Sequence, residues 1–198
     1  SFGNTCMNFV WLSKDKLVKR RILPDREDMS IEQLYAWREE YPEMEITLWY
    51  DSNKEHTETI EAEREVLSGK NIRLVDIQSI FDIFNTDMYE SLKAVYKSEH
   101  SVIPFYTKIA VAKFIVSLND IRNGKFSVFC DFRVPVINHG DLYDEHTKNC
   151  LNNIGLIFSP YGNEVWRTAG NCSATDVISL HHSIENSFHI INPLLAPL

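Results

Sequence analysis

The chain has 198 residues, with 20 Lys and Arg against 28 Asp and Glu, for a formal charge of -8. Its 44% hydrophobic and 24% charged residues suit a globular protein with a sizeable core and exclude a disordered chain. The acidic balance argues against gripping nucleic acid over a whole face, and no apolar run reaches the ~18–20 residues that span a bilayer.

In chain order, Asn8 to Leu12 is a short apolar run of strand formers, followed by the basic stretch Lys14 to Arg21. Ser30 and Gln33 have capping-box spacing, and Ile31, Leu34, Tyr35, Arg38 and Tyr41 recur at helical spacing until Pro42. Ile46 to Tyr50 predicts a second strand ending at the turn cluster Asp51-Ser52-Asn53. Glu55 to Leu67 predicts a polar surface helix capped by Gly69, and Ile72 to Ile77 a third strand. Apolar residues from Ile80 to Tyr96 fit one helical stripe, with a break near Asn85. Thr107 to Ile121 predicts an apolar helix, with Asn123-Gly124 as its exit and Phe126 to Cys130 as a fourth strand. Beyond Asp131, residues 138–153 read as a loop with a short helix, and Tyr161 to Asp176 as loop. Ile154 to Phe158 and Phe188 to Asn192 read as strands. Strands alternating with helices predict an α/β fold, a mainly parallel sheet sandwiched by helices.

Cys6, Cys130, Cys150 and Cys172 share no C-x-x-C spacing, so neither a zinc knuckle nor a disulfide framework is indicated. Reduced thiols in a cytoplasm-like compartment are the expectation, and the opening residues do not read as a secretory signal.

Three features stand in order: Asn8-Phe9-Val10-Trp11-Leu12, then Leu48-Trp49-Tyr50-Asp51-Ser52, then Ser127-Val128-Phe129-Cys130-Asp131-Phe132-Arg133 after an apolar helix. This order resembles the GT-A glycosyltransferases of the DXD sugar-binding group, which includes the large glucosylating toxins and related bacterial effectors. The resemblance covers roughly residues 7–135, with a fainter echo at Glu185-Asn186-Ser187-Phe188. It implies a GT-A-like, Rossmann-like fold that binds a UDP-sugar, UDP-glucose or UDP-N-acetylglucosamine, and transfers the sugar to an acceptor hydroxyl. A host protein as acceptor and secretion into a host cell would follow for an effector.

The resemblance also implies roles. Trp11 falls where the family stacks an aromatic on the uracil, with first-strand backbone at Val10, Trp11 and Leu12 beside it. Asp131 falls at the first acid of the DXD motif, which helps bind the ribose and a Mg²⁺ or Mn²⁺ bridging the diphosphate. Glu185 and Asn186 fall in a segment near the acceptor side. For Trp11 and Asp131 the competing reading is structural: a core tryptophan and a turn residue. Glu185 and Asn186 read more simply as a polar turn.

Two family acids are absent. Arg133 occupies the second acid of the motif, where a cation repels a metal, and the upstream acid and base fall on Ala110 and Lys113. Three accounts are open: Arg133 with Lys113 neutralises the diphosphate in place of the metal, the chain is an inactive binding protein that lost transfer, or the positions are engineered. The expected organisation is one domain over residues 1–198, with a nucleotide-sugar half at 1–135 and an acceptor-side half at 136–198. Only about a third of the chain follows Asp131. GT-A transferases generally have more, which fits a fragment, a compact version or a decayed one.

Other signals favour bland readings. His181-His182 with His189 lacks the i, i+4 spacing of a helical zinc site, and His139, Asp141, Asp144, Glu145 and His146 read as a polar loop. Cys172-Ser173 lacks a nucleophile-elbow context. Lys14 to Arg21 reads as solvated surface, with donor phosphates or a weak anionic-membrane contact as the alternatives.

Overall fold

The computed structural model describes residues 5–14, 25–26, 29–55, 57–82, 87–99, 103–123, 125–130, 132, 136, 156–159 and 162–168. Their elements are β1 (Thr5–Val10), β2 (Asp25–Arg26), β3 (Met29–Ser30), α1 (Ile31–Glu40), β4 (Glu45–Tyr50) and α2 (Thr57–Ser68). There follow β5 (Arg73–Asp76), a 3₁₀ turn (Ile77–Ile80), α3 (Asp87–Lys97), α4 (Phe105–Arg122), β6 (Phe126–Cys130), β7 (Leu156–Ser159) and β8 (Gly162–Thr168).

Six strands form one sheet in the order β5-β4-β1-β6-β8-β7. The first four are parallel, whereas β8 runs antiparallel to β6 and β7 antiparallel to β8. The fold is therefore α/β with a mainly parallel sheet, as expected from the alternation of elements. Strand side chains alternate between two faces. On one face Met7, Phe9, Leu48 and Val128 pack with Leu34 and Trp37 of α1 and Ile60 and Leu67 of α2. On the other, Trp49 and Phe129 pack with Leu92 and Val95 of α3 and Phe114 and Ile115 of α4. Buried on both faces, the central strands read as nearly continuous apolar runs.

Asn8 interrupts that run in the middle of β1 and is buried. Its amide donates to Asp120 Oδ2 at 2.6 Å and to Ser127 Oγ at 3.3 Å, while its Oδ1 accepts from Trp49 Nε1 at 2.9 Å. Ser127 donates to the same Asp120 oxygen at 2.8 Å, so a polar network pins α4 to β1, β4 and β6. Burial pushes the Asp120 carboxyl up to about 6, against the opposing pull of the Ser127 and Asn8 hydrogen bonds.

Ser30 pairs with Asp25 in β3 and stands directly before α1, which begins at Ile31. The stripe from Ile80 to Tyr96 is divided between the end of the 3₁₀ turn, which Asp76 caps by accepting from Gln78 N, and α3, which begins at Asp87. Two expectations need correction. The residue beyond α2 in the left-handed region is Asn71, with φ 55, and not Gly69. Residues 162–168 form strand β8 within the segment expected as loop, where pairing to β6 overrides a mixed polar sequence. The expected strand at 188–192 and the loop with a helix at 138–153 lie outside the described residues. Among the described residues, no helix is long and apolar enough to cross a membrane.

Candidate functional site

The four parallel strands deliver their carboxyl ends to one rim. Strand β1 lies between β4, which follows it on one side, and β6, reached later on the other. In open α/β sheets the crevice at such a reversal is the usual ligand site. Trp11 extends the β1 ladder by donating its backbone N–H to Trp49 O at 3.0 Å. Its half-buried ring meets Phe132 edge-on, with centroids 5.7 Å apart. Phe132 is itself buried against Phe9 at 5.3 Å. The carboxyl ends of β1 and β6 are thereby joined by ring packing.

On the neighbouring side of the rim, Asp51 leaves β4 as a buried carboxylate. Its Oδ1 accepts from Asn53 N and from Gln78 Nε2, each at 2.9 Å, and its Oδ2 accepts from the Tyr96 hydroxyl at 2.8 Å. Burial, then the Asp51 charge, push the Tyr96 phenol well above its usual range. Asp76, at the end of β5, accepts from Ser52 N at 3.1 Å and Gln78 N at 3.0 Å. Ser13 donates to Glu55, and both are buried. These bonds satisfy the turn backbones and hold the ends of β1, β4, β5 and α3 in one arrangement.

Above this floor opens a cleft of about 590 Å³, in the size range of small-molecule sites. Its lining includes Ser13, Asp51 and Gln78, together with Lys14, Lys54, Lys97, Lys108 and Glu99. Four lysines and two carboxylates line it, and two further carboxylates, Glu55 and Asp76, lie directly behind lining Ser13 and Gln78.

The residues singled out from sequence fall as follows. Val10 ends β1, half-buried against the α3 and α4 core, and the Leu12 side chain is buried in that core. Lys113 is 8% exposed on α4, with its ammonium 4.8 Å from the centre of the Phe129 ring, and it does not line the cleft. Asp131, Arg133, Glu185 and Asn186 lie outside the described residues, as do the clusters at His139–His146 and His181–His189. Of the cysteines, Cys6 and Cys130 are buried thiols outside any disulfide; burial first, then Asp120 and Glu45, push the Cys6 thiol up out of its reactive range.

Sequence reading singled out Lys14 within a basic run but missed Lys54, Lys97 and Lys108 as its companions, and the Tyr96–Asp51 bond. The lysines come from four separate segments, and Tyr96 is indistinguishable from its apolar neighbours along one helical stripe. The turn Asp51-Ser52-Asn53 was the one visible signal.

No protein-family model matches the sequence, and no curated protein does. Among solved structures, the chain is similar to a PaToxG glycosyltransferase at 14% identity and TM-score 0.40, over 67% of this chain and 43% of that one. It thus spans less than half the length of that structure. It is also similar to a transferase carrying two cysteine-to-serine substitutions, at 8% identity and TM-score 0.53, over 97% of this chain and 84% of that one. At such identities the second likeness shows a shared fold across nearly the whole chain.

Proposed function

We propose that this protein is a GT-A-like glycosyltransferase that binds a UDP-sugar at the rim between β1 and β6 and transfers the sugar to an acceptor hydroxyl. The observation that carries this reading is the contact of Trp11 with Phe132. Phe132 is the residue between Asp131 and Arg133 in sequence, and its contact with Trp11 supports reading the aromatic and the degenerate motif as parts of one site. The fold shared with a transferase supports it.

In this reading the Trp11 ring stacks on uracil and Asp131 contacts the ribose. The Trp11 backbone N–H is already committed to Trp49, so base recognition draws on the ring and on other backbone groups. During transfer the sugar–phosphate bond breaks, a bond from the anomeric carbon to the acceptor oxygen forms, and the acceptor proton passes to a base or to water. The need is to stabilise negative charge on the departing diphosphate.

In this reading Arg133, two residues from Asp131 in sequence, argues against reliance on a Mg²⁺ or Mn²⁺ ion. Asp131 offers one carboxylate, and the family's second acid is replaced by the guanidinium of Arg133. The diphosphate charge is therefore assigned to Arg133, a bidentate partner for phosphate oxygens, and no step is routed through a metal.

A non-transferring nucleotide-sugar binder is the second reading, favoured by that same Arg133. Calorimetric titration with UDP, UDP-glucose and UDP-N-acetylglucosamine, with and without Mn²⁺, tests the donor site, and absence of binding to all three refutes it. Release of free UDP that disappears in Arg133→Ala without a metal requirement supports transfer. Binding without release of UDP selects the second reading.

A further inference from the structure

We propose that the buried network joining Ser117 and Asp120 of α4 to Asn8, Trp49 and Ser127 of the sheet is a proton-operated latch. It holds the last turn of α4 down while Asp120 is neutral and releases it when Asp120 ionises. All five side chains are buried, and of the five only Asp120 ionises. The direction of the bonds is set by Trp49, whose indole Nε1 can only donate. It donates to Asn8 Oδ1 at 2.9 Å, which turns the Asn8 amide toward Asp120 Oδ2 at 2.6 Å. Ser127 Oγ donates to the same oxygen at 2.8 Å, and Ser117 Oγ lies 3.5 Å from Ser127 Oγ. Three strands and one helix therefore meet at a single carboxyl.

A charge is hard to keep at this place. Asp120 lies in the last turn of α4, and the carboxyl end of a helix disfavours an anion. Lys125, a base that acts on it, pairs instead with Glu45 of β4 at 3.0 Å, and Cys6 of β1 donates to that same Glu45 oxygen at 3.3 Å. The described ionisable groups of the other elements packed on α4 are directed elsewhere. On α3, Tyr89 donates to Ile80 O, Tyr96 to Asp51, Lys93 pairs with Glu90 and Asp82, and Lys97 sits over the Phe81 ring. Lys113 of α4 itself sits over Phe129, and Cys130 of β6 packs on the opposite face of the sheet. Ionisation is thus opposed while the network is closed and unopposed once the turn admits water.

Packing confines the release to the helix end. Every residue from Val111 to Leu118 is buried, so the middle of α4 is fixed, whereas Asn119 is half-buried and Asn123 exposed. The exit turn depends on the same residue, since Asp120 O accepts from Asn123 N and Lys125 N, each at 3.0 Å. The closed form keeps its proton up to about pH 6, while a hydrated carboxyl releases it near 3.8. Raising the pH through that interval therefore favours the open turn progressively, and above about 6 the effect levels off. Glu45 is held below its ordinary value and titrates the other way, at the acid end of the range. Trp49 reports on the network from the rim, because its carbonyl also accepts the Trp11 N–H. The latch is separate from the donor site proposed above and does not depend on it.

The test is amide hydrogen exchange of the whole chain at several pH values from about 4.5 to 7, corrected for the intrinsic pH dependence of exchange and repeated in dilute urea. Wild-type protein is compared with Asp120→Asn and Ser127→Ala. In wild type the opening of amides 119–122 is expected to rise at least about tenfold over this range and to ignore urea, as local opening does. The Trp49 indole N–H resonance should shift with the same midpoint. Asp120→Asn cannot ionise, so the rise and the shift should both disappear. Ser127→Ala removes a bond to the carboxylate, so the midpoint should move to higher pH. Exchange of the turn that ignores pH in wild type, a rise that persists in Asp120→Asn, or opening that follows urea and so belongs to global unfolding overturns the proposal. Should Asp120→Asn fail to fold, Ser127→Ala decides: a midpoint that stays or falls overturns the proposal as well.

Discussion

Tyr96 donates its hydroxyl to Asp51 at 2.8 Å, a buried bond that ties α3 to the carboxyl end of β4 across 45 positions of sequence. It determines how the floor of the cleft is held, because the other Asp51 oxygen orients the turn after β4 and the Gln78 side chain. Tyr96→Phe removes the donor and leaves a buried carboxylate oxygen short of a partner. Hydrogen bonds to charged groups contribute about 1.5–3 kcal/mol, so a loss of about 2 kcal/mol in urea unfolding is expected. An unchanged unfolding midpoint would show that this bond does not hold the rim together.

Asp120 makes stability fall as pH rises through the mildly acidic range. Its carboxyl is pushed up to about 6 by burial from an ordinary 3.8, so the folded protein holds that proton more tightly than the unfolded chain. The penalty of ionising it is absent below the unfolded value and complete above about pH 6, on the order of 3 kcal/mol. Glu45 acts in the opposite direction. Burial alone would raise it, but Lys125, Cys6 and Arg73 hold it below its ordinary value, so its contribution is lost as pH falls. The clean measurement is the difference in unfolding free energy between wild type and Asp120→Asn at several pH values from about 4 to 7. The variant should gain relative stability as pH rises; a constant difference would refute the assignment.

What was legible in the sequence had local causes. β4, β6, α1 and α4 follow from apolar runs long enough to declare their period, and each is found within a few residues of its expected bounds. β8 was not legible, because Gly162-Asn163-Glu164 carries the composition of a turn and only pairing with β6 makes it a strand. Asn8 read as one polar residue in an apolar run, and nothing nearby in sequence announces its partners Asp120 and Ser127, more than 100 positions away. The same limit applies to the site. Trp11 could be singled out as a strand-end aromatic and Lys14 as part of a basic run, whereas Lys54, Lys97 and Lys108 are ordinary surface residues until the topology gathers them.

Asn71 tests a smaller point of backbone chemistry. With φ 55 it adopts a conformation that glycine and asparagine tolerate and branched side chains do not. Asn71→Gly should leave stability within a few tenths of a kcal/mol, and Asn71→Val should lower it by about 1–2 kcal/mol. Thermal unfolding of the two variants decides the matter, and equal midpoints would mean that the turn relaxes. The position lies away from the carboxyl rim, at the entry to β5, so ligand titrations should not distinguish these variants.

Trp11 provides an optical test of the donor site. Trp37 and Trp49 are buried, whereas Trp11 is half-buried at the rim with its edge against Phe132. A base stacked on it should quench its emission, so UDP is expected to lower the fluorescence of the wild-type protein. Trp11→Phe retains an aromatic face but removes the emitter: binding measured by calorimetry should survive while most of the quench disappears. Trp11→Ala should lose both, with affinity falling about tenfold or more, since stacking of a base on an aromatic contributes about 1–3 kcal/mol. Trp166→Phe serves as the control and should leave the quench intact. A quench that persists in Trp11→Phe but vanishes in Trp166→Phe would move the base to the other side of β6 and refute the assignment of the β1 rim as its platform.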